Sequence, residues 1–166
     1  MNIVLIGMPG CGKSTVGVLL AKSMLFNFMD TDLIIQGEYA MPLSEIIGKR
    51  GTNAFKEIEN DILKELRVKS TVIATGGSAV YGKEAMNNLK NGGTIVYLKL
   101  PLEEIESRIK NIKTRGIVMD KGKTLNDIYI ERTPLYEKYA DITVDCSSLT
   151  AEECVDKIVE ELKKPR

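Results

Sequence analysis

Hydrophobic and polar positions along the chain switch repeatedly between two periods, and each switch marks an element. Residues 2–6 are a short apolar run with β character, and residues 13–25 follow with Val16, Leu19, Leu20 and Met24 on one helical face. A second strand over 26–29 ends in Asp30-Thr31-Asp32, and Pro42 precedes a short helix over 43–48. Thr52 reads as the cap of a helix whose core stripe is Phe55, Ile58, Ile62, Leu63 and Leu66. The β-rich run 71–75 stops at Gly76-Gly77; a helix over 83–90 closes at Gly92-Gly93; a strand over 94–100 stops at Pro101 and gives way to a helix over 102–112. Residues 113–123 are polar, basic and weakly periodic, which predicts a mobile loop. A helix over 126–139, interrupted near Pro134, and a strand over 142–145 come next, and Thr150 with Glu153 forms a capping-box pattern that opens the terminal helix.

Five strands alternating with helices predict an α/β fold, a parallel sheet covered by helices on both faces. With 166 residues and no linker, repeat or low-complexity tract, the chain reads as one domain over 1–166. Ligands in such sheets bind beyond the carboxyl ends of the strands. Three polar clusters fall there: residues 7–14, 30–32 and 76–78.

The first cluster, Gly7-Met8-Pro9-Gly10-Cys11-Gly12-Lys13-Ser14, fits the pattern G-x-x-x-x-G-K-[ST] between a strand and a helix. Its glycines let successive backbone N–H groups of Gly10, Cys11, Gly12, Lys13, Ser14 and Thr15 turn inward on phosphate oxygens, and the helix adds its positive end. Lys13 reaches the β- and γ-phosphates and the Ser14 hydroxyl can ligate Mg²⁺. The strand before it and the helix after it favour a nucleotide-phosphate cradle over a glycine-rich turn that fits the pattern by accident. No N-K-x-D guanine motif is present. A compact P-loop domain with a basic loop fits a small-molecule kinase whose lid closes over ATP.

Composition narrows the chemistry. Lys+Arg and Asp+Glu both number 23, so the basic excess of a nucleic-acid binder is missing. There is no histidine, which leaves proton transfer to carboxylates, lysines, tyrosines or water. Three cysteines at no metal-like spacing point to a reducing, cytoplasmic compartment. No apolar run is long enough for a bilayer, and the N-terminus has no signal-peptide pattern. The expected partner is a small molecule, with neither nucleic acid nor membrane, and the expected state is a monomer.

The segments GMPGCGKSTVG (7–17), FMDTD (28–32), GTNAFKEIE (51–59), ATGGSAV (74–80), Arg115 and ERTPLYEKYAD (131–141) occur in an order that resembles the shikimate kinase family over nearly the whole chain. The resemblance implies a five-stranded P-loop core of the nucleoside-monophosphate-kinase type, with a lid over about 113–123 and a substrate-binding helical region over about 33–62. It also implies transfer of the γ-phosphate of ATP to the 3-hydroxyl of shikimate with Mg²⁺. Asp32 matches the family aspartate that contacts the substrate hydroxyls and is the candidate base. Asp30 matches the aspartate that holds Mg²⁺ through water. Arg132 matches the arginine on the substrate carboxylate, and Gly76 and Gly77 match the turn under the ring. Arg115 matches the lid arginine near the phosphates, and Arg108 the arginine that stacks on adenine.

The chain departs from the family pattern at three positions. Lys56 stands where the family usually has arginine, Ser78 where it has a third glycine, and Gly116 where it tends to have proline after the lid arginine. Lysine offers a point charge where arginine offers a planar fork; Ser78 would crowd the ring or add a contact; Gly116 would loosen the lid. These changes leave the ATP machinery intact and open two alternatives, a kinase of another small polyol, acid or nucleoside and a nucleotide-binding module that transfers nothing. Plain structural roles also exist. Asp30 and Asp32 can cap a helix, Arg132 can pair with Glu131 or Glu137 in solvent, Glu59 can bridge to Lys56 or Arg132, and Tyr136 and Tyr139 can be core.

Overall fold

The computed structural model describes residues 1–109 and 116–165. Its centre is one five-stranded sheet of β1 (Asn2–Ile6), β2 (Asn27–Asp30), β3 (Thr71–Ala74), β4 (Gly93–Lys99) and β5 (Ile142–Asp145), in the order β2-β3-β1-β4-β5. Every pairing is parallel, with Leu5 facing Ala74 on one side and Val96 on the other. The continuous apolar run of β1 explains its central place: all five residues are buried, as a strand covered on both faces requires. β5, at the edge, alternates buried and exposed residues.

The helices are α1 (Lys13–Met24), α2 (Thr31–Tyr39), α3 (Leu43–Arg50), α4 (Thr52–Lys64), α5 (Lys83–Gly92), α6 (Leu102–Arg108), α7 (Leu125–Tyr139) and α8 (Ala151–Lys163), with a 3-10 turn at Ala79–Tyr81. β1 connects toward the β2 edge, whereas β2, β3 and β4 connect the other way. Right-handed crossovers therefore put α1 on one face and α4 to α7 on the other. The packing agrees, since α8 lies on α1 and α5 lies on α4. The main core runs through both faces of the sheet. A second small core of Ile35, Leu43, Ile46, Phe55 and Val118 ties α2, α3 and α4 to the segment after position 116. Among the described residues no helix is long and apolar enough to cross a membrane.

Local chemistry moves several expected boundaries. Thr52 is not a cap: Gly51 takes that position at φ 84°, and the Thr52 hydroxyl instead donates to Asp120 at 2.6 Å. A helix the periodicity did not reveal, α2, starts directly at the end of β2 because the Asp30 carboxylate accepts from the Asp32 N–H and caps it. α7 runs unbroken through Pro134. Proline removes one helix hydrogen bond at about 3 kcal/mol, but here the ring is exposed, while Ile128, Arg132 and Tyr136 on the same helix are buried and a Thr124–Asp127 capping box fixes its start. α6 ends at Arg108, short of the expected 112, and residues 110–115 of the expected helix and lid lie outside the described residues.

Candidate active site

The loop between β1 and α1 has the backbone its glycines predict. Gly7, Gly10 and Gly12 have φ of 147°, 78° and 93°, the left-handed side that only glycine occupies freely. A Cβ on Gly7 would stand 2.8 Å from the Leu98 carbonyl oxygen and 2.9 Å from Cys11 Sγ. Lys13 folds back over the loop and donates to the carbonyl oxygens of Gly7 at 2.8 Å and Met8 at 2.9 Å, with Cys11 Sγ 3.7 Å away. Cys11 is buried beneath the loop, a small residue in the packing. The Ser14 hydroxyl donates to Asp30 Oδ2 at 2.7 Å, while Asp30 Oδ1 accepts from the Asp32 N–H at 3.0 Å. Asp30 thus caps α2 and also faces the start of α1.

Above the loop lies a cavity of about 500 Å³. Gly10, Gly12, Lys13, Ser14, Thr15 and Arg108 line the side next to the loop; Asp32, Gly76, Gly77, Ser78 and Arg132 line the rest with Phe55 and residues 116–118. Arg108 reaches over Gly12, its Nη1 3.7 Å from where a Cβ would be. Gly76 and Gly77 are required by close approach. A Cβ on Gly76 would lie 2.7 Å from Asp32 Oδ1 and 2.8 Å from Glu59 Oε2, and one on Gly77 would lie 2.8 Å from Pro9. Tyr136, stacked on Tyr97 at 5.2 Å between centroids, holds this turn by donating its hydroxyl to the Gly77 carbonyl at 2.6 Å. It is a core residue, as read.

Two carboxyl groups meet at Gly76. Burial, and after it the neighbouring Asp30 charge, push Asp32 up to about 6, with Lys13 opposing. Glu59 is 2% exposed and is pushed up to about 7, chiefly by burial, with the Ser78 hydrogen bond working against the rise. Its Oε1 accepts the Ser78 hydroxyl at 2.5 Å, and Oε2 has no hydrogen-bond partner among the described residues. Glu59 therefore does not bridge to Lys56 or Arg132, the role expected of it. Ser78 lines the cavity, and its hydroxyl donates to Glu59.

Arg132 is 1% exposed, so it is no solvated helical arginine. Its Nε donates to the Tyr81 hydroxyl at 3.3 Å and its Nη2 to the Val118 carbonyl. Lys56 does not line the cavity; its ammonium stands 4.1 Å from the centroid of the Tyr81 ring. This departs from the expectation that Lys56 touches substrate: at this position in α4 the side chain leaves Phe55 to face the cavity and goes to the aromatic ring. Gly116 has φ 63°, and a Cβ there would stand 2.8 Å from both Leu43 Cβ and the Ser44 nitrogen. The glycine lets the segment from 116 approach the start of α3 closely. Arg115 lies outside the described residues.

The sequence reading missed Glu59 as a buried carboxyl, Tyr81, and Val118. For Glu59 the signal existed: Phe55, Glu59 and Leu63 are successive i, i+4 positions and form the buried face of α4. Tyr81 and Val118 carry no such signal, since their contacts join segments far apart in the chain.

The model of the shikimate kinase family matches residues 9–163. The shikimate kinase of Thermodesulfovibrio yellowstonii is 39% identical, covering 98% of this chain and 95% of the relative. That of Caldanaerobacter subterraneus is 37% identical, covering 95% and 94%. Among solved structures, shikimate kinase from Acinetobacter baumannii in complex with shikimate superposes with a TM-score of 0.90 at 32% identity, over 97% of this chain and 92% of that one. Shikimate kinase from Aquifex aeolicus gives 0.84 at 35%, over 98% and 96%. A phosphate loop, an aspartate and a buried arginine around one cavity, matched over nearly the full length at these identities, mean that this chain belongs to the shikimate kinase family.

Proposed function

We propose that the protein transfers the γ-phosphate of ATP to the 3-hydroxyl of shikimate. One observation carries this reading: the phosphate loop, the Asp32 carboxylate and the Arg132 guanidinium line the same cavity, so a triphosphate, an alcohol and a carboxylate can be held at once. The solved shikimate kinase with shikimate bound, similar over nearly the whole chain, supports the choice of acceptor.

In this reading the backbone N–H groups from Gly10 to Thr15 cradle the phosphates. Lys13 exchanges its loop carbonyls for β- and γ-phosphate oxygens, and Arg115 adds positive charge from the lid. Arg108 covers the adenine side. Arg132 grips the acceptor carboxylate over the floor made by Gly76, Gly77 and Ser78. Asp32 accepts a hydrogen bond from the 3-hydroxyl; as its oxygen bonds to the γ-phosphorus and the bond to the β-phosphate oxygen breaks, the proton passes to the carboxylate. An Asp32 that titrates near 6 is mostly ionised at neutral pH yet basic enough to take that proton. Ser14 and Asp30, hard oxygen donors 2.7 Å apart at the head of α1, fit Mg²⁺, which would neutralise phosphate charge there.

An ADP-release assay with Mg-ATP over a panel of polyhydroxylated acids, sugars and nucleosides tests the proposal. Shikimate is expected to be turned over best. Turnover of another acceptor with none of shikimate would reject it, and ATP binding without turnover of any acceptor in a metabolite extract would favour a non-catalytic module.

A further inference from the structure

Tyr81 is the last residue of the 3-10 turn that follows Gly76, Gly77 and Ser78, so the segment that floors the cavity also places this ring. Three charged groups converge on it. The Lys56 ammonium lies 4.1 Å from the ring centroid and the Arg132 guanidinium carbon 5.4 Å from it. The hydroxyl donates to Glu131, which turns its lone pairs toward the Arg132 Nε–H at 3.3 Å. Glu131 is itself held by Lys123 at 2.7 Å. The tyrosine thus uses its hydroxyl to aim one cation and its π face to hold another.

This arrangement gives a common reason for two departures from the family pattern. Arginine at position 56 would bring a planar fork; lysine brings a compact ion with no preferred direction. Glu59, one turn along the same helix, has its Oε1 taken by Ser78, and among the described residues no carboxylate stands within salt-bridge distance of Lys56. The ring face supplies what the carboxylates do not. A cation over an aromatic face is held without being neutralised, so the charge of Lys56 still acts on an anion bound at Arg132.

We propose that Tyr81 is a positioning residue for acceptor binding, aiming Arg132 through its hydroxyl and holding Lys56 beside it through its ring. The inference rests on the proposed function, because the anion in question is the acceptor carboxylate. Tyr81 lies outside the lining of the cavity and touches no reacting atom.

Steady-state kinetics on full-length variants test it. Tyr81→Phe keeps the ring and loses the hydroxyl; it is expected to raise the shikimate KM about threefold to tenfold. Tyr81→Leu loses both and is expected to raise it about tenfold to thirtyfold. The KM for ATP, kcat and the melting temperature should stay near the parent values in both. Lys56→Ala should raise the shikimate KM in the parent but add less than about twofold on the Tyr81→Leu background, the non-additivity expected of groups acting as a unit. A parent enzyme that leaves shikimate unphosphorylated would overturn the proposed function and this inference with it. An active parent whose Tyr81 variants keep the parent's shikimate KM, or lose kcat and stability instead, or show additive Lys56 effects, would overturn the role of Tyr81 alone.

Discussion

Asp32 and Glu59 press on one glycine from two elements, and the site's pH behaviour follows from them. In the proposed mechanism turnover needs an ionised Asp32, so kcat/KM should fall about tenfold per pH unit below about 6, where burial places its titration; a profile flat to pH 5 would remove Asp32 as base. Asp32→Asn should slow transfer about a hundredfold or more with ATP affinity little changed. Glu59 acts on stability. Its folded-state titration is raised from 4.5 to about 7, so between those values the folded chain holds a proton the unfolded chain has lost. The stabilisation is complete below 4.5 and disappears as pH rises through about 7. Glu59→Gln, a neutral side chain whose oxygen can still accept from Ser78, should lack that decline. Melting curves across this range would show it, and parallel curves for the two proteins would mean that Glu59 titrates alike in the folded and the unfolded chain.

Elements are positioned here by single side chains at their ends. Asp30 ends β2, caps α2 and receives Ser14 at the head of α1, so three elements converge on one carboxylate. The segment from 116 is held differently, by fit. Val118 is buried in the small core with Leu43 and Phe55, its carbonyl takes Arg132, and Gly116 permits the approach to α3. Gly116→Ala places a methyl group against the Ser44 backbone in a left-handed conformation, which should cost about 1–2 kcal/mol. Urea unfolding measures this directly, and an unchanged midpoint would mean that the segment does not dock on α3 in solution. The same variant should raise the acceptor KM, because Val118 and Arg132 depend on the docked path.

On the scale of the molecule, a sheet with the loops after β1 and β3 at its carboxyl end forms a single cavity from residues 9 to 132 of the chain. Ligands that bind only this folded arrangement must stabilise it. At a hundredfold excess over Kd, Mg-ATP should add about 2.7 kcal/mol, a rise of roughly 5–10 °C in melting temperature for a chain of this size. Lys13→Ala should abolish transfer and most of that rise; an undiminished rise would place the triphosphate elsewhere. The parallel sheet, the phosphate loop and the Asp30–Asp32 pair were legible in the sequence, because an apolar strand, a glycine pattern and a short polar cluster are local signals tied to backbone sterics and hydrogen bonding. What lay beyond them was decided by long-range packing. That Glu59 is buried against Ser78, that Lys56 leaves the cavity for Tyr81, that Arg132 reaches both Tyr81 and Val118, and that Gly116 approaches the start of α3 all depend on residues many positions apart being brought within a few ångströms. Local sequence sets conformational preference, but which partner satisfies a buried charge is fixed only when the helices close on the sheet and water leaves.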